Sequence, residues 1–276
     1  MTSVLFDVPG PRAARRHRLI AVATVVGLLL LLAGIVYKLY AENQLTARQW
    51  EPFVTPRIVE TLVQGVLDTL RAAAISILLA ICFGLVFGMG KLSDHRIIRW
   101  PAWLVVEFFR AVPLLLLIVF LFFSYGRTLG SFWCLVIGLT LYNGSVLAEV
   151  FRAGINALPK GQSEAAYAIG MRKSQVMSIV LLPQAVKIML PAIISQCVVA
   201  LKDTSLGYYI LAPSLTTEGK RIFGEFQNNL ATALVLAVLY IAMNSVLSWL
   251  ATKAQRRITD GASVKIVAGQ VTGAAT

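Results

Sequence analysis

The sequence contains few charged residues for its length. Asp, Glu, Lys and Arg make up 14% of 276 residues, whereas soluble domains contain roughly 25%, and hydrophobic residues reach 58%. This composition excludes an ordinary soluble domain and favours a polytopic membrane protein, since the length accommodates several spans of about 20 residues each.

The sequence also lacks the patterns that hold nucleotides or metals. The pairs Gly90-Lys91 and Gly219-Lys220 have neither the following Ser or Thr nor the upstream Gly of a G-x-x-x-x-G-K-[ST] phosphate loop. The three Cys and two His residues do not have the spacing of a disulfide framework or a zinc site. We therefore predict no catalytic residue, no metal site and no cofactor in this chain.

Acidic residues are scarce relative to basic ones, which gives a formal net charge of +12. A nucleic-acid-binding protein gathers its Lys and Arg into a patch or stripe on a folded surface. Here the basic residues flank apolar runs, as the topology signals of membrane proteins do. The charge therefore indicates orientation in a membrane, and we predict no nucleic-acid partner.

Apolar runs predict an all-α fold with about six membrane spans: Leu19–Tyr37, Ala72–Gly90, Ala111–Gly126, Thr128–Ala148, Ile188–Leu201 and Phe226–Thr252. The first run exceeds the 7–15 apolar residues typical of a signal peptide, so we predict a retained helix. The fifth is long enough only if Lys202 and Asp203 lie in or near the bilayer. In the second, Ala80, Gly84 and Gly88 form a small-residue stripe suited to close helix packing.

The distribution of Lys and Arg between the connecting segments predicts that both termini are cytoplasmic. Under this topology the chain divides into five parts: a basic cytoplasmic tail (1–18), an N-terminal membrane helix (19–40), an extracytoplasmic loop (41–60), a five-span membrane domain (61–253) and a cytoplasmic tail (254–276) predicted to be disordered.

One polar segment, KGQSEAAYAIGM at 160–171, lies between two strongly apolar runs on the predicted cytoplasmic side. Gln162 or Ser163 can cap the start of a helix, and Glu164 then falls in its first turn, where the helix dipole favours an anion. Gly170 can supply the left-handed turn that ends the helix. The segment predicts a short helix that buries little of its own surface.

A second helix is predicted directly after this segment. Ser174 can cap its start, and Pro183 should kink or break it. On these residues alone, the short helix is either a docking element for a partner's groove or a surface helix that covers the ends of the spans.

A set of residues at fixed spacings runs through this region: Glu164, Ala165, Ala166, Gly170, Val180, Leu182 and Pro183. It resembles the EAA signature of ABC importer permeases, which consists of E-A-A, three residues, G, nine residues, an aliphatic residue, one residue and L-P. Every spacing matches. The resemblance covers roughly Glu60–Ala251 and leaves the first predicted span outside the five-span core of the family.

Flanking sequence resembles one branch of this family. AEVFRAGINALPKGQ before the motif, LPQAVKIMLP after it and LKDTSL at 201–206 are similar to permeases for histidine, glutamine, arginine and glutamate, and most of all to glutamate-uptake permeases. FFRAVPLLLL at 108–117 is also similar to these permeases, although the family more often has R-G-T-P there.

The resemblance implies a type I importer permease core whose short cytoplasmic helix is a coupling helix, docked on an ATPase through Glu164, Ala165, Ala166 and Gly170. It also implies a second permease subunit, two cytoplasmic ATPase subunits that bind ATP and Mg, and an extracytoplasmic solute-binding protein. The assembly would import a polar amino acid, in the most similar case glutamate, across a bacterial plasma membrane by alternating access.

Three acidic residues each precede an Arg by three positions, which places each pair on one helical face: Asp68 with Arg71, Glu107 with Arg110, and Glu149 with Arg152. A charge exposed at mid-bilayer costs about 2.5–3.5 kcal/mol, whereas such a pair returns only about 0.2–0.5 kcal/mol. We therefore expect these residues to face the bundle interior or to lie at span ends.

Two charges are candidates for the substrate pathway. Arg110 is predicted well inside a span, and Asp203 begins a polar patch in apolar surroundings. An amino acid presents a carboxylate and an ammonium, which Arg110 and Asp203 can meet, with Glu107 and Ser205 as second choices. The alternative is a structural ion pair that holds the bundle together.

A different class of function also fits a polytopic chain: an ion-gradient-driven transporter or a channel working without an ATPase. That class predicts paired interrupted helices from an internal repeat, and the sequence shows no such repeat.

Overall fold

The computed structural model describes residues 10–272, apart from the side chains of 11, 13, 14 and 258–272. Its α-helices are α1 (Pro11–Ala41), α2 (Ala47–Trp50), α3 (Pro56–Lys91), α4 (Arg96–Ala111), α5 (Leu114–Asn156), α6 (Lys160–Ala168), α7 (Lys173–Gln175), α8 (Leu182–Asp203), α9 (Leu215–Phe226) and α10 (Asn229–Thr272). A π-helical turn (Val176–Leu181) joins α7 to α8, and 3₁₀ turns occupy Glu51–Val54 and Thr204–Ile210. The predicted all-α polytopic fold is confirmed.

The structure has five helical segments long and apolar enough to cross a membrane within the described residues, where the sequence predicted six spans. The third and fourth predicted runs both lie in α5. Gly130 interrupts that helix with φ 77° and ψ 161°, values that are not helical. Because glycine adopts positive φ at little cost, the chain bends there, and the two runs form separate arms of α5.

The sequence predicted that Arg110 lies well inside a span, and the structure shows that this prediction is wrong. Arg110 occupies the last turn of α4, and its side chain is 38% exposed. Pro113 has no N–H to donate and restricts Val112 to extended backbone, with φ −75° and ψ 127°. The predicted interruption is therefore present, but it ends α4 and separates Arg110 from the apolar run that begins α5.

Helices α3 and α5 form the centre of the bundle. A Cβ atom added to Gly84 would lie 2.8 Å from the Cβ of Leu147, and one added to Gly88 would lie 2.9 Å from the Ala148 carbonyl oxygen. The small-residue stripe is thus confirmed as a packing surface, because only glycine lets the two backbones approach so closely. Phe151 completes this contact and is 3% exposed.

The two ends of the chain differ from the centre. In α1 the 18-residue window that marks it as a candidate span contains no buried residue. At the other end, the sequence predicted a disordered tail over 254–276, whereas the structure continues α10 to Thr272. No proline interrupts residues 229–272, so the backbone of the last span extends without a break. Residues 1–9 and 273–276 lie outside the described residues.

Candidate functional site: the coupling helix and the polar groups of the bundle

The short helix predicted at 160–171 is α6, and Gly170 ends it as predicted. Gly170 has φ +82°. Its N–H donates to the Tyr167 carbonyl at 2.9 Å, and the Met171 N–H donates to the Ala166 carbonyl at 3.2 Å. These two bonds form a Schellman motif, which satisfies carbonyls that the end of a helix leaves free. The chain therefore leaves α6 in a fixed direction.

The predicted start of α6 is wrong. The helix begins at Lys160 after Pro159, three residues before Ser163, and Ser163 donates its hydroxyl to the Lys160 carbonyl at 2.8 Å. Proline brings a fixed φ and has no N–H to satisfy, so it suits a helix start as well as a side-chain cap does. Glu164 consequently lies in the second turn and not in the first.

The residues of α6 divide into one buried position and an exposed face. Ala166 is 5% exposed and packs toward the protein, whereas Glu164 and Ala165 are exposed. Tyr167 and Ile169 are 47% and 79% exposed, respectively. A two-turn helix that presents one carboxylate, small residues and two large apolar side chains outward has the shape of an inserted docking element.

Two side-chain contacts anchor α6 and its neighbours. The Gln184 side-chain amide donates to the Gln162 side-chain carbonyl at 3.3 Å and so ties α6 to the start of α8. Lys173 forms an ion pair with Asp94 in the α3–α4 connection. The Lys173 ammonium holds the pKa of the Asp94 carboxyl below its usual range by a hydrogen bond and by Coulomb attraction.

The helix after α6 also begins differently from the prediction. Arg172, and not Ser174, is the N-cap residue, and the Gln175 side chain accepts from the Arg172 N–H at 2.8 Å. The predicted interruption near Pro183 is present as the π-helical turn Val176–Leu181. Because Pro183 cannot donate to the carbonyl four residues earlier, a wider turn relieves the helix at this point.

The acid–Arg pairs at 107/110 and 149/152 are joined into one chain of ion pairs. Lys91 donates to Glu107 at 3.0 Å and to Glu149 at 2.8 Å. Arg110 contacts Glu107 at 3.3 Å, and Arg152 binds Glu149 through its Nε at 2.9 Å. We call these five residues the ion-pair chain. It connects α3, α4 and α5, and its Lys91 side chain is only 6% exposed.

A cleft of about 400 Å³ borders the ion-pair chain. Four members of the chain line it, without Arg110, and the lining is Lys91, Glu107, Glu149, Arg152, Arg99, Trp100 and Trp103. The five members of the chain carry three positive and two negative charges. Each carboxylate contacts two cations, so the surplus is cationic. The cleft therefore favours an anionic group over a cationic one.

Asp203 belongs to a separate polar group. Its carboxylate accepts from the Asn143 side-chain amide at 3.4 Å, and the Asn143 side-chain carbonyl accepts from Gln196 at 2.6 Å. We call these three residues the Asp203 patch. Nearby, Ser205 contributes its backbone carbonyl to Thr216 at 3.3 Å.

The structure does not bring Arg110 and Asp203 into contact. In the described part of the chain, Arg110 bonds to Glu107 and Asp203 bonds to Asn143, with no ion pair between the two groups. Asn143 and Glu149 are six residues apart on α5, which corresponds to about 9 Å along the helix axis. The two polar groups therefore lie at successive levels of the bundle.

Sequence reasoning found four of the five residues of the ion-pair chain but missed Lys91, which joins them. It also missed Asn143 and Gln196, which are the partners of Asp203. The third acid–Arg pair does not form an ion pair in the described structure: Asp68 accepts from Gln64, and Arg71 lies over the ring of Phe132 at 5.6 Å. A polar residue inside an apolar run was the one available signal for Asn143.

Relatives of known identity cover most of the chain. The glutamate transport system permease protein GluD of Corynebacterium glutamicum is 41% identical over 240 residues, which span 84% of this chain and 88% of GluD. The probable glutamine ABC transporter permease protein GlnP of Bacillus subtilis is 34% identical over 201 residues, 71% of this chain and 92% of that protein.

A solved structure and a family description agree with these relatives. The crystal structure of an amino acid ABC transporter with histidines matches with a TM-score of 0.68 and 27% identity, over 73% of this chain and 95% of that one. Residues 61–260 match the family described as "Binding-protein-dependent transport system inner membrane component". This chain belongs to that family of inner-membrane transport components.

Proposed function

We propose that this chain is the membrane-spanning permease subunit of an ATP-driven importer of a polar amino acid. The observation that carries the proposal is α6: a short helix with a fixed end, held between two spans, whose outward face is exposed. A transport subunit needs such an element when ATP is hydrolysed by a different protein. Family membership supports the same assignment.

The proposed assembly contains partners that supply what this chain lacks. Two cytoplasmic ATPase subunits bind ATP and Mg and receive α6 through Glu164, Ala165, Ala166 and Gly170. A second permease subunit, identical or related, completes the pathway, and an extracytoplasmic solute-binding protein delivers the substrate. The chain itself performs no covalent chemistry and lies in a bacterial plasma membrane with both termini in the cytoplasm.

Glutamate is the proposed substrate, because GluD, with 41% identity, is named as a glutamate permease. The cationic surplus of the ion-pair chain also suits a substrate with two carboxylates. As one carbon separates the ammonium and α-carboxylate of an amino acid, these groups do not reach both levels of the bundle at once. The substrate therefore meets the Asp203 patch first and the ion-pair chain second, as it moves inward.

Specific residues have separate roles at the two levels. Asp203 faces the ammonium, with Ser205 beside it. Arg110 takes a carboxylate by exchanging its bond with Glu107, which keeps its second bond to Lys91. Because Glu107 remains paired, this exchange leaves no carboxylate without a cation, and its cost is correspondingly low.

Reconstitution tests the function. Proteoliposomes that contain this chain with its partner ATPase, second permease and binding protein should take up radiolabelled glutamate only with ATP inside and binding protein outside. Collapse of the proton and sodium gradients should leave the initial rate unchanged. Uptake without any ATPase subunit would instead establish the gradient-driven class of transporter.

Orientation is tested by single cysteines in a background without Cys82, Cys134 and Cys197. In intact cells, Thr46→Cys should react with a membrane-impermeant maleimide from outside. Ala165→Cys should react only after the cells are opened. Labelling of Ala165→Cys from the outside would overturn the proposed topology.

A further inference from the structure

A cleft of about 890 Å³ lies at the opposite end of the molecule from α6, and two separate chain segments line it. One is the 43–55 segment between α1 and α3, and the other is residues 225–227 at the end of α9. The Asn228 side-chain amide donates to the Gln49 carbonyl at 3.0 Å and joins the two. We call this space the outer cleft.

The lining of the outer cleft offers acceptors for hydrogen bonds. The side-chain oxygen Oε1 of Gln49 is buried and has no hydrogen-bond partner in the described structure. This oxygen has almost no surface that another molecule can reach, so the acceptors open to a partner are those of the exposed lining residues. Glu51 and Glu225 add two carboxylates against the single cation Arg48. The cleft therefore favours a group that donates hydrogen bonds and carries positive charge.

The backbone at the rim of the outer cleft is held in an unusual conformation. Asn43 and Gln227 have φ of 57° and 53°, and they are two of three non-glycine residues with positive φ in the described part of the chain. Such conformations persist where surrounding contacts determine them, and they are common at binding sites. Both residues line the cleft.

Helix α9 connects the outer cleft to the polar groups of the bundle. Its last residues border the cleft, and its first turn is bonded to the bundle. The Leu215 N–H donates to Thr69 at 2.8 Å, and Thr216 donates to the Ser205 carbonyl at 3.3 Å. Twelve helical residues span about 18 Å. A molecule bound in the outer cleft therefore contacts the end of α9. The start of α9 is bonded to Ser205, which lies two residues after Asp203.

We propose that the outer cleft is a docking site for the solute-binding protein, which inserts a loop carrying a basic side chain and amide donors. The inference rests on the proposed function and orientation, which place the cleft outside the cell. It assigns part of the docking surface to residues 43–55, which precede the segment matched by the family. Docking then acts on the Asp203 patch through α9.

Charge reversal tests the proposal in reconstituted complexes with the purified binding protein encoded beside this chain. The Glu51→Lys/Glu225→Lys variant should require at least tenfold more binding protein for half-maximal ATPase stimulation. Both side chains are exposed, so the fold should be preserved. The matched control is Glu42→Lys, a neighbouring exposed carboxylate paired with Lys38 outside the lining; it should leave the half-maximal concentration unchanged.

A second measurement does not depend on the charge change. Benzophenone maleimide attached at Thr46→Cys should cross-link to the binding protein, and excess unlabelled binding protein should abolish the product. An unchanged half-maximal concentration in the double variant, or no cross-link at Thr46, would overturn the docking site while wild-type stimulation still supports the importer. Absence of stimulation in the wild type would contradict both proposals.

Discussion

Helix α6 and the ion-pair chain are both polar elements of an apolar protein, yet they are assembled in different ways. Every contact that ends α6 comes from residues within five positions of one another, as in the bond from Met171 to Ala166. The ion-pair chain instead joins three helices, and its Lys91–Glu149 bond spans 58 positions. One element is determined by local sequence and the other by tertiary packing.

This difference predicts different consequences of mutation. Damage to the end of α6 should change how the protein transmits motion while the bundle remains folded. Damage to the ion-pair chain should loosen three helices together, so stability and transport should decline in parallel. The following experiments separate these two outcomes.

The largest effect is expected from Lys91→Met, which removes the cation that joins Glu107 to Glu149. Removal of one partner of a buried pair costs about 3–5 kcal/mol, and we expect the lower end of this range at most, because both carboxylates are partly exposed and each keeps an Arg partner. The melting temperature of the purified complex should fall, and uptake should fall with it. Lys38→Met, at an exposed ion pair, should leave both unchanged.

A charge-preserving variant sharpens this test. If the loss in Lys91→Met arises from the missing cation that links the Glu107–Arg110 and Glu149–Arg152 pairs, then Lys91→Arg should keep most of the melting temperature of the wild type. A Lys91→Arg variant that is no more stable than Lys91→Met would show that the lysine contributes by packing, and the electrostatic account of the ion-pair chain would be wrong.

The second effect concerns Gly170→Val. The left-handed conformation costs about 1–2 kcal/mol per residue for side chains with a Cβ, so valine should displace the end of α6. ATP-driven uptake should fall at least tenfold, the change in rate that about 1.4 kcal/mol produces. The melting temperature should stay near that of the wild type, since the strained turn lies at the exposed end of α6, which can unwind locally without opening the bundle.

Gly161→Val is the matched control for this variant. Gly161 also lies in the α6 region and has open space around its added Cβ, but its φ is not positive. It should retain uptake within about twofold, since a β-branched residue in a helix costs well under 1 kcal/mol. Equal losses in the two variants would mean that bulk, and not the left-handed turn, is what the docking surface rejects.

The accuracy of the sequence predictions follows the same division between local sequence and tertiary packing. The end of α6 at Gly170, the interruption near Pro183 and the Gly84–Gly88 contact all depend on residue type at a known spacing, and the structure confirms them. Lys91 was missed because no local pattern shows which helix its ammonium reaches. The sequence determines a charge's position along the chain, while packing determines its partner.

The same reasoning explains the other errors. Helix α6 begins at Lys160 and not at the predicted Ser163 cap, because the fixed φ of Pro159 favours entry into a helix and its carbonyl accepts from the Gln162 N–H at 3.1 Å. Sequence alone does not rank a proline start against a hydroxyl cap. Arg110 was placed inside a span because its apolar neighbours extend on both sides. The break at Val112 could be read from Pro113, but its consequence for the position of Arg110 required the packing of α4.

The third effect distinguishes a substrate role from a structural one. Arg110→Lys keeps the charge and loses the planar fork that matches a carboxylate, and Asp203→Asn keeps the shape and loses the anion. If Arg110 and Asp203 contact the substrate, each substitution should lower the uptake rate about twofold to tenfold at an unchanged melting temperature. This change in rate corresponds to the free energy of one hydrogen bond. A fall in melting temperature that accompanies the loss of uptake would favour a structural role, of Arg110 in the ion-pair chain and of Asp203 in its contact with Asn143.

The smallest effect is expected at the ion pair between Asp94 and Lys173, which joins the α3–α4 connection to the helix after α6. The Asp94 pKa is lowered in the folded protein, so the pair contributes stability above the ordinary pKa of an aspartate and loses it as pH falls through the lowered value. Between pH 6 and pH 8 the pair is fully formed, and coupling should not change with pH on its account. Both side chains are largely exposed, so salt should screen the pair and Asp94→Asn should leave the melting temperature unchanged.

Hydrogen exchange of residues 172–176 is the sensitive measurement: it should be faster in Asp94→Asn at low salt and equal to the wild type at 1 M salt. A difference that persists at 1 M salt would mean that Asp94 holds this segment by a contact other than its charge, and the two cytoplasmic connections would then be packed together more firmly than an exposed ion pair allows.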